Sequence, residues 1–219
     1  MITRIKYFFN RTDSFAQYGE DNIILLMIGL YNIENPNYMD IGAHHPFRLS
    51  NTALLYRYGI TGTNIEPDPL LFKEFVKERK NDLNLNIGIH KDEAEVTFYQ
   101  FERAEFNTFS KSAADQIEKN GIEKTGEIKV KVDTYNNVVE KYLASVAPDI
   151  LFCDAEGLDE IIINSINYKM FSPKIICIET YAYGIGIKNQ NIIDFLISKN
   201  YSIHADTFVN TIFIKQNTK

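Results

Sequence analysis

Apolar runs typical of buried strands alternate along the chain with segments whose apolar residues recur at helical spacing. Each strand-like run is short and is followed by a turn signal. This alternation predicts right-handed crossovers and a doubly wound, mostly parallel α/β sheet whose ligands bind beyond the carboxyl ends of the strands. The predicted strands are Tyr38–Ala43, Gly62–Pro67, Leu83–Ile89, Asp149–Asp154 and Lys174–Thr180, and the predicted helices are Ser50–Tyr58 and Asp68–Lys80.

The end of the chain carries two further strand-like runs, Tyr201–Ala205 and Phe208–Lys215. The two runs are close enough in sequence to form a C-terminal antiparallel hairpin. No internal repeat or linker interrupts the sequence. We therefore expect a single domain over residues 1–219.

The region 95–134 fits the alternation less well than the rest of the chain. It contains an extra strand-like run, a short helical segment and a turn-rich loop, at Glu95–Phe101, Ser112–Lys119 and Gly121–Gly126. We interpret the region as an insertion over the carboxyl edge of the sheet. Such an insertion would lie near the substrate site and add substrate specificity.

Charge and hydropathy limit the partners of the chain. A net charge of −6 argues against nucleic acid binding, which needs a basic footprint. The longest strongly apolar run, Ile23–Leu30, is too short to cross a bilayer, and the first ten residues lack the features of a signal peptide. Cys153 and Cys177 each lie in an apolar run, which favours packed free thiols. These features predict a cytoplasmic protein without a membrane span.

The end of the first predicted strand has features of a nucleotide-binding loop. Gly42 follows the strand directly, where a glycine permits a sharp turn and the close approach of a ligand. Ser50 can cap the next helix, whose free N–H groups favour a carboxylate or phosphate. The G-x-G-x-x-G fingerprint is absent, which argues against a nicotinamide or flavin cofactor.

The ends of the next two strands extend this signal. Glu66 lies 66 − 40 = 26 residues after Asp40, close to the spacing expected for an acid that binds ribose hydroxyls. A carboxylate at this position can accept two hydrogen bonds from a vicinal diol. Asn86, Ile87 and Gly88 would lie beside an adenine ring, or they form an ordinary strand terminus. Together the features favour nucleoside binding.

Three acids follow two neighbouring predicted strands. Asp154 and Glu156 come after one buried strand and Glu179 ends the next, so the three could converge at one edge of the sheet. Charged groups so close to a core need a partner, a ligand or a metal. The acids could hold a hard divalent cation, Mg²⁺ or Mn²⁺, or supply a general base with a raised pKa. His44 and His45 are further candidates for a base or a ligand.

These residues resemble the FkbM-type family of S-adenosylmethionine-dependent methyltransferases. The likeness spans about residues 14 to 215, in pieces that are short but specific in their order and spacing. The turn at His44-His45-Pro46 departs from the family's more usual Asn-x-Gly form. The matching pieces are Ser14–Asp21, Asp40–Pro46, Ser50–Thr52, Asn64–Pro67, Asp154–Gly157, Cys177–Glu179 and Asp206–Phe213.

The resemblance implies a Rossmann-like class I methyltransferase fold, with a mostly parallel seven-stranded sheet and the cofactor across its first two strands. In such a fold Asp40, Gly42 and His44 would border the methionine and ribose parts of S-adenosylmethionine. Glu66 would hold the ribose hydroxyls, and Asp154 would lie near the methionine amino group or the methyl donor.

The resemblance also implies a role for the chain before the first strand. Gln17, Tyr18 and Glu20 fall in a segment, residues 1–36, that would pack over the cofactor site.

Family members commonly methylate the hydroxyl groups of sugars and other metabolites. We therefore expect O-methylation of a nucleotide-linked sugar or a surface-polysaccharide residue. The base or metal ligands would come from Asp154, Glu156, Glu179 or His45. The alternatives are an NAD-dependent oxidoreductase or epimerase and a non-catalytic nucleotide-binding domain, and a homo-oligomer is left open.

Overall fold

The computed structural model describes residues 13–155, 157–182 and 186–216. Its strands are β1 (Tyr38–Ile41), β2 (Gly62–Ile65), β3 (Leu83–Leu85), β4 (Gly88–Ile89), β5 (Ala94–Phe101), β6 (Lys124–Asp133), β7 (Ile150–Cys153), β8 (Ile175–Glu179), β9 (Tyr181–Ala182), β10 (Ile187–Lys188), β11 (Tyr201–Asp206) and β12 (Asn210–Lys215). Its α-helices are α1 (Glu20–Leu30), α2 (Ala53–Arg57), α3 (Pro69–Glu78), α4 (Lys111–Lys119), α5 (Tyr135–Tyr142), α6 (Asp159–Ser165) and α7 (Gln190–Ser198).

Seven of the strands form the central sheet, in the order β11-β12-β8-β7-β1-β2-β3. The strands from β8 to β3 are parallel to their neighbours. β12 runs antiparallel to both β8 and β11. The predicted α/β class and the C-terminal antiparallel hairpin are therefore confirmed.

The core lies on both faces of this sheet. Successive residues of β7 belong to opposite apolar clusters: Leu151 and Cys153 to one, and Phe152 to the other. α1 covers the Phe152 side with Ile24 and Met27, both fully buried. Burial on both faces explains why the parallel strands appear in the sequence as continuous apolar runs.

The predicted strand Leu83–Ile89 is divided between two sheets. β3 ends at Leu85, because the Asn86 side-chain amide turns back and donates to the carbonyls of Glu66 and Pro67, at 2.8 and 3.1 Å. Gly88 then begins β4, which pairs with β6 in a separate three-stranded sheet in the order β4-β6-β5. The expectation of one continuous strand was wrong for this reason.

The predicted extra strand and short helix of the region 95–134 correspond to β5 and α4. The predicted loop Gly121–Gly126 is shorter than expected, because β6 begins at Lys124. β6 pairs antiparallel with β5, and its residues alternate between partly buried and exposed over most of its length. This long strand was not predicted, because charged residues recur along it and it does not appear as an apolar run in the sequence. Helices α1, α5 and α7 were likewise absent from the sequence-based assignment.

Cys153 and Cys177 are buried free thiols, as predicted. Within the described ranges, no helix combines the length and the apolar character that a membrane span requires.

Candidate active site

A cavity opens at the carboxyl ends of β1, β2 and β7, with the three-stranded sheet on its far side. This is the edge at which open α/β sheets bind ligands. The lining includes seven residues that the sequence analysis singled out: Gln17, Asp40, Gly42, His44, Glu66, Gly88 and Asp154.

Gly42 brings the loops after β1 and β7 into direct contact. Its φ is +77°, and a Cβ at this position would lie 1.9 Å from the carbonyl oxygen of Asp154. The N–H of Asp154 donates to the carbonyl of Ile41 at 3.0 Å. Only glycine fits this position, since both the backbone conformation and the space exclude a side chain.

Glu66 lines the cavity at the end of β2 and is almost fully buried. One carboxylate oxygen accepts from the N–H of His44 and the other from the N–H of Asp68, both at 2.7 Å. Burial raises the pKa of Glu66 to about 8, against the opposing effect of these two donors. Each oxygen keeps a second lone pair, so the carboxylate can still accept from a diol.

Asp40 is buried beneath the same loop. Its Oδ2 accepts a hydrogen bond from Thr52 Oγ1 at 2.8 Å. Burial raises the pKa of Asp40 to about 6, and the Thr52 hydrogen bond and the charge of Arg79 partly oppose that rise.

Arg79 is a fully buried residue that supports the site from below. Its guanidinium donates to Thr52 Oγ1 at 2.8 Å, to the carbonyl of Pro46 at 2.8 Å and to Asp82 Oδ2 at 3.0 Å. Arg79 therefore connects the loop after β1, which contains Pro46, with Thr52, which binds Asp40, and with Asp82, which directly precedes β3. The sequence analysis included Arg79 only as part of the predicted helix Asp68–Lys80. A cation at an apolar position was the signal that it needed a buried partner.

Asp154 and Glu179 lie side by side after β7 and at the end of β8, because Cys153 and Ile178 are paired in register. Asp154 forms a side-chain hydrogen bond with Glu179. The Oδ1 atom of Asp154 is buried and has no hydrogen-bond partner among the described residues. Burial, followed by the charges of Asp159, Asp40 and Glu20, raises the pKa of Asp154 to about 7.

The predicted third acid, Glu156, lies outside the described residues. In the part of the chain that the structure describes, no group of three or more His, Cys, Asp or Glu side chains could hold a metal ion. Asp154 and Glu179 supply carboxylate oxygens but not a full ligand set. A metal site at Asp154, Glu156 and Glu179 therefore stays a prediction.

The two histidines have different surroundings. His44 lines the cavity, adopts a left-handed φ of +56°, and has its Nε2 atom 3.3 Å from Arg48 Nη2. Burial, assisted by the charge of Arg48, lowers the pKa of His44. His45 Nδ1 instead accepts from the N–H groups of Phe47 and Arg48, both at 3.0 Å, and His45 is not among the lining residues found in the described ranges.

Three predicted cofactor contacts are not among the lining residues found in the described ranges. Ser50 is buried, and its Oγ accepts from the N–H of Ala53, the first residue of α2. The Asn86 amide is bonded to backbone carbonyls, as described above, and Ile87 packs against the core. Their contact with a cofactor is an untested prediction.

The N-terminal segment reaches the cavity through Gln17. Tyr18 is exposed beside it, whereas Glu20 is fully buried and accepts hydrogen bonds from Thr207 Oγ1 at 2.6 Å and Asn210 Nδ2 at 2.9 Å. Glu20 thus holds the segment against the turn between β11 and β12.

Residues of the region 95–134 form the far wall of the cavity. The sequence analysis predicted an insertion here but named none of the individual side chains that line the cavity. Phe98 and Phe109 lie with ring centroids 4.7 Å apart. Asn107 Nδ2 and Gln100 Nε2 each donate to Asp68 Oδ2 at 3.0 Å, which ties this wall to the end of β2. No local motif marked these residues, because the contacts that tie them to Asp68 join residues 32 and 39 positions apart in sequence.

The sequence matches the methyltransferase FkbM domain over residues 40–203, well over half of the chain. The chain belongs to the FkbM methyltransferase family. Membership supports a S-adenosylmethionine-dependent methyltransferase and argues against the oxidoreductase alternative. No curated protein matched the sequence.

Solved structures share the class I methyltransferase fold at low sequence identity. A putative caffeoyl-CoA O-methyltransferase from Staphylococcus aureus is 10% identical with a TM-score of 0.51, covering 98% of this chain and 91% of that one. A TehB-like SAM-dependent methyltransferase from Corynebacterium glutamicum is 10% identical with a TM-score of 0.48, covering 98% and 96%. A putative methyltransferase from Escherichia coli is 14% identical with a TM-score of 0.47, covering 94% and 89%.

Proposed function

We propose that this FkbM-family protein is a S-adenosylmethionine-dependent O-methyltransferase that acts on a sugar hydroxyl, in a nucleotide-linked sugar or a surface-polysaccharide residue. The observation that carries the proposal is the Oδ1 atom of Asp154, a residue that lines the cavity: the atom is buried and has no hydrogen-bond partner among the described residues. A buried acceptor of this kind is costly unless a ligand satisfies it.

The cavity residues fit the parts of this cofactor. Glu66 has free lone pairs for the two ribose hydroxyls, and Gly42 lines the cavity beside it. Phe98 and Phe109 offer an apolar wall for a flat base. Asp154 would lie near the methionine ammonium or the methyl donor. When bound, the cofactor supplies an electrophilic methyl carbon on a sulfonium.

The remaining chemical task for the protein is to orient a hydroxyl and remove its proton. The proposed base is the Asp154–Glu179 pair, in which burial raises the affinity of Asp154 for a proton against the opposing effect of its hydrogen bond with Glu179. A base with a pKa near neutral is effective at physiological pH. His45, Glu156 and a magnesium or manganese ion are the other candidates to lower the barrier to proton loss.

The test is transfer of a tritiated methyl group from S-adenosylmethionine to a panel of nucleotide sugars and methyl glycosides, with and without Mg²⁺ or Mn²⁺. Mass spectrometry of the product locates the methyl group. We expect a methyl ether, and we expect Asp154→Asn to reduce turnover at least about a hundredfold. Asp194→Asn, an exposed acid on α7, is the matched control. A methyl group on nitrogen or carbon of the true acceptor would contradict the proposal.

A further inference from the structure

Three aromatic side chains form a surface next to the acid pair: Tyr18, Tyr181 and Phe208, called here the aromatic shelf. Tyr18 is 49% exposed and Phe208 is 57% exposed. The Phe208 ring centroid lies 6.0 Å from that of Tyr18 and 4.7 Å from that of Tyr181, with the latter rings inclined by 32°. Clustered aromatic exposure of this kind is a common mark of a binding surface.

A buried carboxylate holds two parts of the shelf in place. Glu20 accepts from the backbone N–H of Tyr18 at 3.0 Å with one oxygen, and from Thr207 and Asn210 with the other. Thr207 directly precedes Phe208, so one buried acid fixes both exposed rings relative to each other. Phe208 also adopts a left-handed φ of +73°, and its N–H donates to Asp206 Oδ1. The exposed rings are therefore preorganised.

The aromatic shelf lies beside the acid pair, at the same carboxyl edge of the sheet. The N–H groups of Thr180 and Tyr181 both donate to the carbonyl of Val209 at 3.0 Å, which places the Phe208 turn against the end of β8. Asn210 pairs in register with Glu179. In the strand order, the shelf lies on the opposite side of Asp154 from Glu66. An acceptor on the shelf would therefore face the acids and leave the Glu66 side to the cofactor.

The rim of the shelf is polar. Lys188 Nζ lies 3.0 Å from Asp206 Oδ1 and 3.1 Å from Thr180 Oγ1. Gln17, next to Tyr18, is exposed and lines the cavity. Apolar ring faces bordered by hydrogen-bonding groups suit a ligand that has an apolar face and polar edges, as a pyranose ring does.

We propose that the aromatic shelf binds the ring of the acceptor sugar through its C–H face and presents a hydroxyl to Asp154 and Glu179. The proposal rests on the proposed function and names the residues that select its substrate class. Phe208 and Tyr18 are specificity-determining residues in this account. Neither takes part in proton removal.

The test is saturation-transfer NMR on the full chain with excess S-adenosylhomocysteine and three probes: methyl α-D-glucopyranoside, methyl β-D-galactopyranoside and methyl 4-hydroxybenzoate. We expect saturation of pyranoside ring protons in the wild type. Phe208→Ala and Tyr18→Ala should each weaken pyranoside binding about fivefold. Tyr142→Ala is the matched control, because Tyr142 is similarly exposed, at 48%, but lies away from the cavity. It ends helix α5, which precedes β7 and therefore leads to the amino-terminal end of that strand. The Tyr142→Ala variant should bind like the wild type.

Two results would overturn the proposal that the shelf binds the sugar. One is equal pyranoside saturation in the wild type, Phe208→Ala and Tyr18→Ala, and the other is saturation of methyl 4-hydroxybenzoate alone. Titration of each protein with S-adenosylhomocysteine separates this failure from failure of the proposed cofactor. Unchanged cofactor affinity with lost pyranoside saturation in the two variants supports the shelf. Pyranoside saturation without any cofactor binding in the wild type would support the shelf and contradict the proposed function.

Discussion

The backbone N–H of His44 donates a hydrogen bond to Glu66 Oε2 at 2.7 Å, so the loop after β1 and the acid that ends β2 form one unit. His44 adopts the left-handed conformation that aims its N–H at this oxygen. The second oxygen of Glu66 is held by the N–H of Asp68, the residue that caps α3. The carboxylate is thereby oriented before any ligand arrives, which favours binding.

We expect Gly42→Ala to destabilise the protein and to weaken cofactor binding, because the new Cβ would lie 1.9 Å from the Asp154 carbonyl oxygen. Gly59→Ala is the control, since Gly59 has φ +82° and open space around its Cβ position. Gly59→Ala should cost only the left-handed penalty, about 1–2 kcal/mol. Urea unfolding measures both variants. Equal losses of unfolding free energy would show that the contact with Asp154 is unimportant.

Arg79→Met should lower the free energy of unfolding by about 3–5 kcal/mol, because it leaves the buried carboxylate of Asp82 without its cation. It also removes the donors to Thr52 and Pro46, so cofactor affinity should fall in the protein that remains folded. Lys77→Met is the control, because Lys77 forms only exposed ion pairs on α3. A midpoint of urea unfolding that is the same in both variants would refute this role of Arg79.

Stability should fall as the pH rises from about 6.5 to about 8.5. Burial raises the pKa of Glu66 from 4.5 to about 8 and that of Asp154 from 3.8 to about 7. In this window the native state holds protons that the unfolded state has released, so the free energy of unfolding decreases. His44 and His45 oppose this trend only below the ordinary histidine pKa of 6.5, since the pKa of each is lowered.

The decrease in the free energy of unfolding across this pH window should be on the order of 1 kcal/mol or more. Asp154→Asn should reduce the slope of the free energy of unfolding against pH. Urea unfolding without ligand at several pH values measures it. The matched variant Asp194→Asn should retain the wild-type slope. Stability that increases through the window would contradict the raised pKa values.

Much of the sheet and part of the site could be predicted from the sequence. Parallel strands end at the same edge, so Gly42, Glu66 and Asp154 could be assigned to one cavity from their positions alone. The same rule predicted the neighbouring position of Glu179, because consecutive buried strands of this kind pair in register.

The supporting contacts could not be predicted, because they join residues far apart in sequence and depend on side-chain geometry. The buried guanidinium belongs to Arg79, which directly follows a helix whose pattern indicated an ordinary amphipathic face. Asn107 reaches Asp68 only through the pairing of β5 with β6 and the turn between them. Phe208 appeared to begin a strand, whereas it occupies the turn before β12.

The most direct test of the central claim is calorimetric titration of the wild type and of Glu66→Ala with S-adenosylhomocysteine. We predict one-site binding with a micromolar dissociation constant in the wild type. Loss of the two hydrogen bonds from the ribose hydroxyls should weaken binding to Glu66→Ala by roughly 1.5–3 kcal/mol, about tenfold or more. The exposed-glutamate variant Glu74→Ala should bind like the wild type. No heat and no thermal-shift response in the wild type, or unchanged affinity in a folded Glu66→Ala variant, would contradict the account.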